Sequence, residues 1–279
     1  MKNTPLVTVD WLQENLKNPD LIILNASQPE NKNVENEELY KLQIPGARWV
    51  DLKNVFSDVN SSFPNTFPDV TIFESAAQSL GINNKSKIVV YDNLGAYTSP
   101  RVWWMFKAMG HSQVAVLDGG LPEWLIKNFE VEPFVVKTYE RGNFKADLHF
   151  DEVKGTKDIL AQIKSKDELI VDARSEGRFK GTAPEPREGL SSGHIPGSVN
   201  LPYTEVLKDG KFKPKEELQH LFEKLNPENN PMIFSCGSGV TACILYLANE
   251  LAAKVKKSVY DGSWTEWAHN DERPIDKIK

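Results

Sequence analysis

The sequence contains few cysteines and no long apolar run. Only Cys236 and Cys243 occur among 279 residues, too few for a disulfide framework, so we expect both to be thiols in a reducing compartment. No stretch of eighteen apolar residues could span a bilayer, and the N-terminal segment has no apolar signal core. These absences predict a cytosolic protein without a membrane partner.

The sequence also lacks basic clusters and closely spaced histidines. Its 33 basic and 39 acidic residues give a net charge of -6, and no stripe of lysine and arginine could follow a phosphate backbone. We therefore expect no nucleic-acid partner. The five histidines are scattered without metal-ligand spacing, so the sequence predicts no metal site.

The two halves of the chain repeat each other. Two motifs of the first half recur in the same order in the second, and an apolar strand with a helical stretch precedes each copy. The paired segments are QIPGARWVDL (43–52) with HIPGSVNLPY (194–203), and VLDGGLPEW (116–124) with VYDGSWTEW (259–267). The sequence therefore predicts two copies of one structural unit.

Apolar, β-branched runs alternate with segments of helical periodicity in both halves. This alternation is typical of an α/β fold, in which helices cover both faces of a mainly parallel sheet. The strand-like runs span residues 87–92, 113–118, 168–173 and 231–236. We predict a first domain over residues 1–134, a linker over 135–150 and a second domain over 151–279.

The segment FSCGSGVTAC (234–243) places Cys236 between an apolar strand and a helix. In open α/β sheets, ligands bind at this end of the strands. Backbone N–H groups of a loop of small residues, with a helix dipole behind them, stabilise negative charge and make a cysteine nucleophilic. From these residues alone, a buried structural cysteine is an equal alternative for Cys236. Cys243, inside the helix, is expected to belong to the core.

A cysteine at the head of an amide-lined loop is also typical of protein tyrosine phosphatases. Those enzymes carry an arginine six positions later, which clamps the phosphoryl oxygens. Here that position is Ala242, and the loop carries no cationic side chain. A phosphoryl dianion would lack charge compensation, so we expect a smaller anion or a single sulfur atom at Cys236.

The repeat and the segments CGSGVTAC, YDGSWTEW, GHIPG and SPRVWW together resemble the tandem-rhodanese sulfurtransferases, most closely the 3-mercaptopyruvate sulfurtransferases. The resemblance implies two rhodanese-like domains, each a mainly parallel five-stranded sheet flanked by helices on both faces. It implies that the first domain is catalytically silent, since the counterpart of Cys236 falls at or next to Asp92. It further implies sulfur transfer from 3-mercaptopyruvate, through a Cys236 persulfide, to a thiol acceptor such as thioredoxin or to cyanide. Pyruvate is released, and no metal or organic cofactor is needed.

The same resemblance implies a set of site residues. Arg178 and Arg187 would bind the carboxylate and keto oxygens of the donor, and Tyr97 and Asn65 would lie near the substrate. Ser238 and Thr241 would offer hydroxyl groups to the persulfide or to the developing enolate. The complete active-site loop would be Cys236, Gly237, Ser238, Gly239, Val240 and Thr241.

Two positions depart from the family pattern. Where many relatives carry an acidic residue and a histidine in the first domain, this chain has Lys53 and Asn65, and its first histidine is His111. Asn65 can form a hydrogen bond with Ser238 or the substrate but cannot transfer a proton. Either a proton relay is dispensable, or the protein works slowly or on another donor, and we expect the first.

Two other functions stay open at this point. One is a thiosulfate sulfurtransferase of the same fold, and the other is a non-catalytic module that carries persulfide or binds a partner. The neutral residues Gly237 and Ser238 favour mercaptopyruvate, because relatives that prefer the thiosulfate dianion carry bulky basic residues there.

Overall fold

A computed structural model describes residues 4–29, 37–252 and 255–278. The chain forms two compact units, each built mainly from one half of the sequence. Unit 1 comprises Met1–Asn60, Phe67–His149 and Asp209–Phe212, and unit 2 comprises Ser61–Thr66, Phe150–Lys208 and Lys213–Lys279. The domain boundaries that we expect from the sequence stay a prediction.

Unit 1 is built on a parallel five-stranded sheet in the order β1-β6-β5-β2-β4. A short antiparallel pair, β3 and β7, lies outside this sheet. The strands are β1 (Leu6–Val7), β2 (Leu21–Asn25), β3 (Leu42–Gln43), β4 (Arg48–Trp49), β5 (Lys87–Tyr91), β6 (Val114–Leu117) and β7 (Glu132–Pro133). The helices are α1 (Val9–Asn15), α2 (Val70–Ser79), α3 (Ser99–Ala108) and α4 (Gly120–Ile126).

Unit 2 is built on a second parallel five-stranded sheet in the order β10-β9-β13-β14-β8. The strands that follow along the chain are β8 (Val153–Lys154), β9 (Leu169–Asp172), β10 (Val199–Asn200), β11 (Leu207–Lys208), β12 (Lys211–Phe212, in unit 1), β13 (Met232–Ser235) and β14 (Lys257–Tyr260). The helices are α5 (Thr156–Ser165), α6 (Glu176–Lys180), α7 (Lys215–Leu225), α8 (Ala242–Ala252) and α9 (Ser263–Trp267).

The two sheets have the same topology. If the five strands of either sheet are numbered along the chain, their order in space is first, fifth, fourth, second and third. The central strand is β5 in unit 1 and β13 in unit 2, and both are followed by a loop and a helix. The repeated motifs of the sequence therefore correspond to a repeated fold, as predicted.

The apolar runs form the central strands because helices shield both faces of each sheet. Residues Ile88 to Tyr91 of β5 and all four residues of β13 are buried, although side chains alternate between the two faces of a strand. Helix α8 is buried over most of its circumference, and this explains its almost uninterrupted apolar sequence. Among the described residues, no helix combines the length and the apolar character that crossing a membrane requires.

An aromatic cluster in unit 1 encloses His111. The rings of Phe106 and Phe144 lie 6.0 and 5.7 Å from the imidazole, and its Nε2 lies 2.9 Å from the carbonyl oxygen of Ser86. A neutral ring donates a hydrogen bond to that carbonyl through Nε2–H. Burial lowers the pKa of His111 below its ordinary value, because the charged form loses hydration in this cluster.

Candidate active site

The candidate site lies at the carboxyl end of β13, the central strand of unit 2. Strand β13 ends at Ser235, Cys236 follows directly, and α8 begins at Ala242. Cys236 is 1 % exposed, whereas Gly237 and Ser238 beside it are partly exposed. Gly239 has a φ of 77°, in the left-handed region that glycine adopts without steric cost, so it allows the loop to curl ahead of the helix.

The backbone N–H groups of this loop are available to an anion. Those of Gly237, Ser238, Val240 and Thr241 make no hydrogen bond to any other residue in the described part of the chain. They lie in a loop of small residues at the N-terminus of an eleven-residue helix. Such N–H groups, together with the helix dipole, favour negative charge.

The equivalent loop of unit 1 already holds an anion of its own. Asp92 directly follows β5, is completely buried, and has its carboxylate inside the loop that leads to α3. Oδ1 accepts a hydrogen bond from the N–H of Leu94 at 2.9 Å. Oδ2 accepts from the N–H groups of Tyr97, Thr98 and Ser99 at 2.8 to 2.9 Å, and from the Ser99 hydroxyl at 2.6 Å. Unit 1 thus has an anion-binding loop, but a carboxylate stands where unit 2 has a thiol.

The segment after β14 holds the Cys236 loop in place. The N–H of Cys236 donates to the Ser263 hydroxyl at 3.1 Å, and the N–H of Trp264 donates to the Cys236 carbonyl at 2.9 Å. Thr265 donates twice to the Gly237 carbonyl, from its N–H at 2.9 Å and from its hydroxyl at 2.6 Å. Ser263 has a φ of 50°, a conformation that costs a residue with a side chain about 1–2 kcal/mol.

Arg178 lies beside the loop and is paired with a buried carboxylate. A Cβ atom placed on Gly237 would lie 3.2 Å from its Nη2, so a larger residue at position 237 would press on the guanidinium. Arg178 donates to Glu185 through Nε at 3.1 Å and Nη2 at 2.6 Å, which is a bidentate ion pair. Its side chain is 23 % exposed and that of Glu185 only 2 %.

A second, completely buried arginine completes this pairing. Arg174 donates to Asp172 at 2.6 Å and to Glu185 at 2.9 Å, and its guanidinium lies 4.1 Å from the centre of the Trp264 ring. Glu185 thus joins two arginines. Because breaking such a pair leaves a buried charge without a partner, the arrangement holds Arg178 in a defined position.

Two further predicted residues contact this site. Arg187 donates through Nη1 to the Thr265 hydroxyl at 3.1 Å, and Thr265 in turn binds the Gly237 carbonyl. Asn65, in a segment that belongs to unit 2, donates through Nδ2 to the Ser238 hydroxyl at 3.1 Å. Since Ser238 accepts this bond, its own hydroxyl hydrogen can point to another acceptor.

Tyr97 is the predicted site residue that belongs to unit 1, and its place near the substrate stays a prediction. Its N–H is one of the donors to Asp92. Cys243 is buried in α8 and donates its thiol hydrogen to the Gly239 carbonyl at 3.3 Å. No cluster of histidine, cysteine and acidic residues that could hold a metal ion occurs in the described ranges.

Sequence reasoning missed Glu185, Arg174, Ser263 and Thr265. The motif VYDGSWTEW (259–267) repeats VLDGGLPEW (116–124), and we used it only as evidence of the repeat and of the family resemblance. The informative signal was the difference between the copies. Ser263 stands where the first half has Gly120, and both residues have a positive φ.

Two α/β units of one topology, with a thiol at the strand end of one and a carboxylate at the same place in the other, define a tandem protein with one thiol-bearing anion loop. The rhodanese-like domain model matches residues 8–127 and 156–270. The chain therefore belongs to the rhodanese-like family, and the predicted resemblance and fold class are confirmed.

Individual relatives cover nearly the whole chain. The 3-mercaptopyruvate sulfurtransferase of Rattus norvegicus is 41% identical over 272 residues, which is 94% of this chain and 91% of the relative. The thiosulfate sulfurtransferase of Cricetulus griseus is 39% identical over 95% of this chain and 92% of its own length. The crystal structure of SseA from Escherichia coli, described as a 3-mercaptopyruvate sulfotransferase, superposes with a TM-score of 0.82 at 33% identity, and covers 94% of this chain and 99% of that one.

Proposed function

We propose that this chain is a sulfurtransferase that takes a sulfur atom from 3-mercaptopyruvate onto Cys236 and passes it to a thiol acceptor. One observation carries the proposal. In the described part of the chain, the N–H groups of Gly237, Ser238, Val240 and Thr241 donate to no other residue, whereas N–H groups of the equivalent loop in unit 1 bind the Asp92 carboxylate. A loop that holds a carboxylate in one unit is chemically suited to hold a thiolate or a persulfide in the other. The curated relatives are sulfurtransferases, and this agrees.

In the first step, the Cys236 thiolate attacks the sulfur atom of 3-mercaptopyruvate. A sulfur–sulfur bond forms, the carbon–sulfur bond breaks, and the electron pair of that bond passes to the pyruvate enolate. Protonation of the enolate at carbon gives pyruvate and leaves Cys236 as a persulfide. The loop amides stabilise the anionic sulfur throughout, because they are fixed before the reaction begins.

In the second step, the thiolate of an acceptor attacks the outer sulfur of the persulfide. The sulfur–sulfur bond to Cys236 breaks and its electron pair returns to Cys236 as thiolate, so the acceptor leaves as a persulfide. A dithiol protein such as thioredoxin, or a small thiol, has the required chemistry, and cyanide replaces it in an assay.

The cytosolic location expected from the sequence also stays a prediction.

The arginines give the donor its orientation. Arg187 supplies a positive charge and Arg178 supplies N–H donors beside Gly237, and a planar carboxylate with an adjacent keto oxygen matches such donors. Ser238 has its hydroxyl hydrogen available for the enolate oxygen, because it accepts a bond from Asn65. The donor approaches over Gly237 and Ser238, the partly exposed residues next to the thiol.

Thiosulfate is the second candidate donor, since one relative bears that name. The neutral side chains at positions 237 and 238 favour mercaptopyruvate, because a dianion needs more positive charge than this loop provides. A purely binding role would leave without use a thiol that lies beside backbone N–H groups favouring its anionic form.

The test is the intact mass of the protein after incubation with 3-mercaptopyruvate. We expect the wild type to gain one sulfur atom and release pyruvate, and Cys236→Ser to do neither. Cys243→Ser, which removes the other thiol, is the matched control and should still gain the sulfur. Full sulfur transfer by Cys236→Ser would refute the proposal, and a higher kcat/KM on thiosulfate than on mercaptopyruvate would refute the choice of donor.

A further inference from the structure

We propose that Glu185 determines which donor charge the site accepts. It neutralises Arg178, so that of the two donor-binding arginines Arg187 is the one that no carboxylate of the described residues pairs with. The inference rests on the proposed function and deepens it. It predicts that the site selects a donor with one negative charge over a donor with two.

Glu185 is fully engaged in ion pairing. Its side chain is 2 % exposed, Oε1 accepts hydrogen bonds from Arg174 at 2.9 Å and from Arg178 at 3.1 Å, and Oε2 accepts from Arg178 at 2.6 Å. A carboxylate with so little contact with water is stable only because cations surround it. Glu185 is therefore the counter-charge of both arginines.

The charges of the buried cluster cancel. Asp172 and Glu185 contribute two negative charges, and Arg174 and Arg178 contribute two positive ones. Arg178 consequently acts on a ligand as an oriented set of N–H donors, and its charge is already compensated by Glu185.

Arg187 differs from Arg178 in this respect. Its contact is the neutral hydroxyl of Thr265, and no carboxylate of the described residues lies within ion-pair distance of it. Thr265 also donates to the Gly237 carbonyl, so it places the positive charge of Arg187 beside the Cys236 loop. The site thus offers one uncompensated positive charge to a donor.

One positive charge matches the carboxylate of 3-mercaptopyruvate. Thiosulfate brings two negative charges to the same site, and the second one lacks a partner. Arg187 itself is exposed, but Gly237 and Ser238, over which the donor approaches, are only partly exposed. An unmatched charge is costly there, because the effective dielectric constant is lower than that of water. Glu185 would therefore disfavour thiosulfate without touching it.

Glu185→Gln tests the inference, since it removes the counter-charge and retains the shape of the side chain. We measure kcat/KM for both donors and compare their ratio. The ratio should shift towards thiosulfate by roughly tenfold, which corresponds to about 1.4 kcal/mol. Glu188→Gln is the matched control, because it removes one negative charge from an exposed residue of the same segment and should leave the ratio unchanged.

Arg178→Gln makes the opposite change in charge, and it tests the role of charge in donor selection if Glu185→Gln does not fold. It leaves Glu185 with Arg174 as its partner, so the site loses one positive charge and the ratio should shift towards mercaptopyruvate. Thermal melting of each variant establishes that it is folded.

Two results overturn the inference, and they can be told apart from a failure of the proposed function. A wild type that forms a Cys236 persulfide, combined with charge variants whose donor ratio equals that of Glu188→Gln, refutes the role of Glu185 alone. A wild type that gains no sulfur from either donor refutes the proposed function and this inference with it.

Discussion

The anion loop of unit 1 allows the electrostatic argument to be tested without any substrate. Replacing Asp92 with glycine removes the carboxylate that accepts the N–H groups of Leu94, Tyr97, Thr98 and Ser99. Leu94 and Tyr97 are partly exposed, so water can replace the carboxylate at their N–H groups. Thr98 and Ser99 are buried, and their two N–H groups and the Ser99 hydroxyl would lose the carboxylate as acceptor.

The expected loss of stability follows from these three buried donors. An unsatisfied buried donor costs about 1–3 kcal/mol, so the free energy of unfolding should fall by roughly 3–9 kcal/mol. Asp92→Asn should lower the free energy of unfolding by less, because the amide keeps one oxygen at the position of Oδ2. Some loss remains, because the amide presents an NH₂ group to the N–H of Leu94. Urea denaturation measures both changes, and hydrogen exchange over residues 92–108 assigns them to unit 1.

Formate provides a chemical rescue for the glycine variant. If the loop binds anions, formate should occupy the position of the missing carboxylate and stabilise Asp92→Gly with a mass-action dependence on its concentration. The wild type, with Asp92 in place, is the control and should show no such gain. A loss below about 1 kcal/mol, or equal stabilisation of both proteins by formate, would refute the view that these amides form an anion site. The same result would weaken the argument for Cys236.

Three further outcomes are expected. Burial lowers the pKa of His111 below its ordinary 6.5, so the unfolded chain binds the proton more readily than the folded one. The contribution of His111 to the free energy of unfolding should be fully present above pH 6.5 and should fall below that pH. His111→Gln should flatten this part of a plot of melting temperature against pH. Gly239→Ala places a side chain at a φ of 77°, which costs about 1–2 kcal/mol. The rate of persulfide formation, measured by rapid quench and mass analysis, should therefore fall, while unit 1 keeps its stability. Asn65→His offers a proton-transfer group to Ser238, and kcat should rise by far less than the roughly 10²-fold typical of a general acid or base; a gain of that size would mean that the chemistry needs a relay.

The resemblance stated from the sequence correctly predicted the fold class, with two rhodanese-like domains that each contain a parallel five-stranded sheet. Alternation of apolar β-branched runs with helical segments predicts parallel sheets because only buried central strands tolerate apolar residues on both faces. The repeated motifs indicated two copies of one unit, and the strands β5 and β13 occupy the same place in both sheets. These features depend on local periodicity and order along the chain, which a sequence displays directly.

The position of Cys236 was also evident from the sequence, because an apolar strand, a loop of small residues and a helix follow each other without interruption. The chain alone did not reveal what surrounds the loop. Ser263 and Thr265 bind the loop from another segment, and Glu185 pairs with Arg178 beside it. The pairing of one carboxylate with two arginines leaves no periodic signal in the sequence. The two equivalent loops likewise differ in their hydrogen bonds, since the N–H groups of the unit 1 loop bind the Asp92 carboxylate. The sequence by itself therefore determined the fold, the repeat and the position of the thiol. Only the tertiary structure decided the charge and the hydrogen bonds around that thiol, because they depend on distances between residues far apart in the chain.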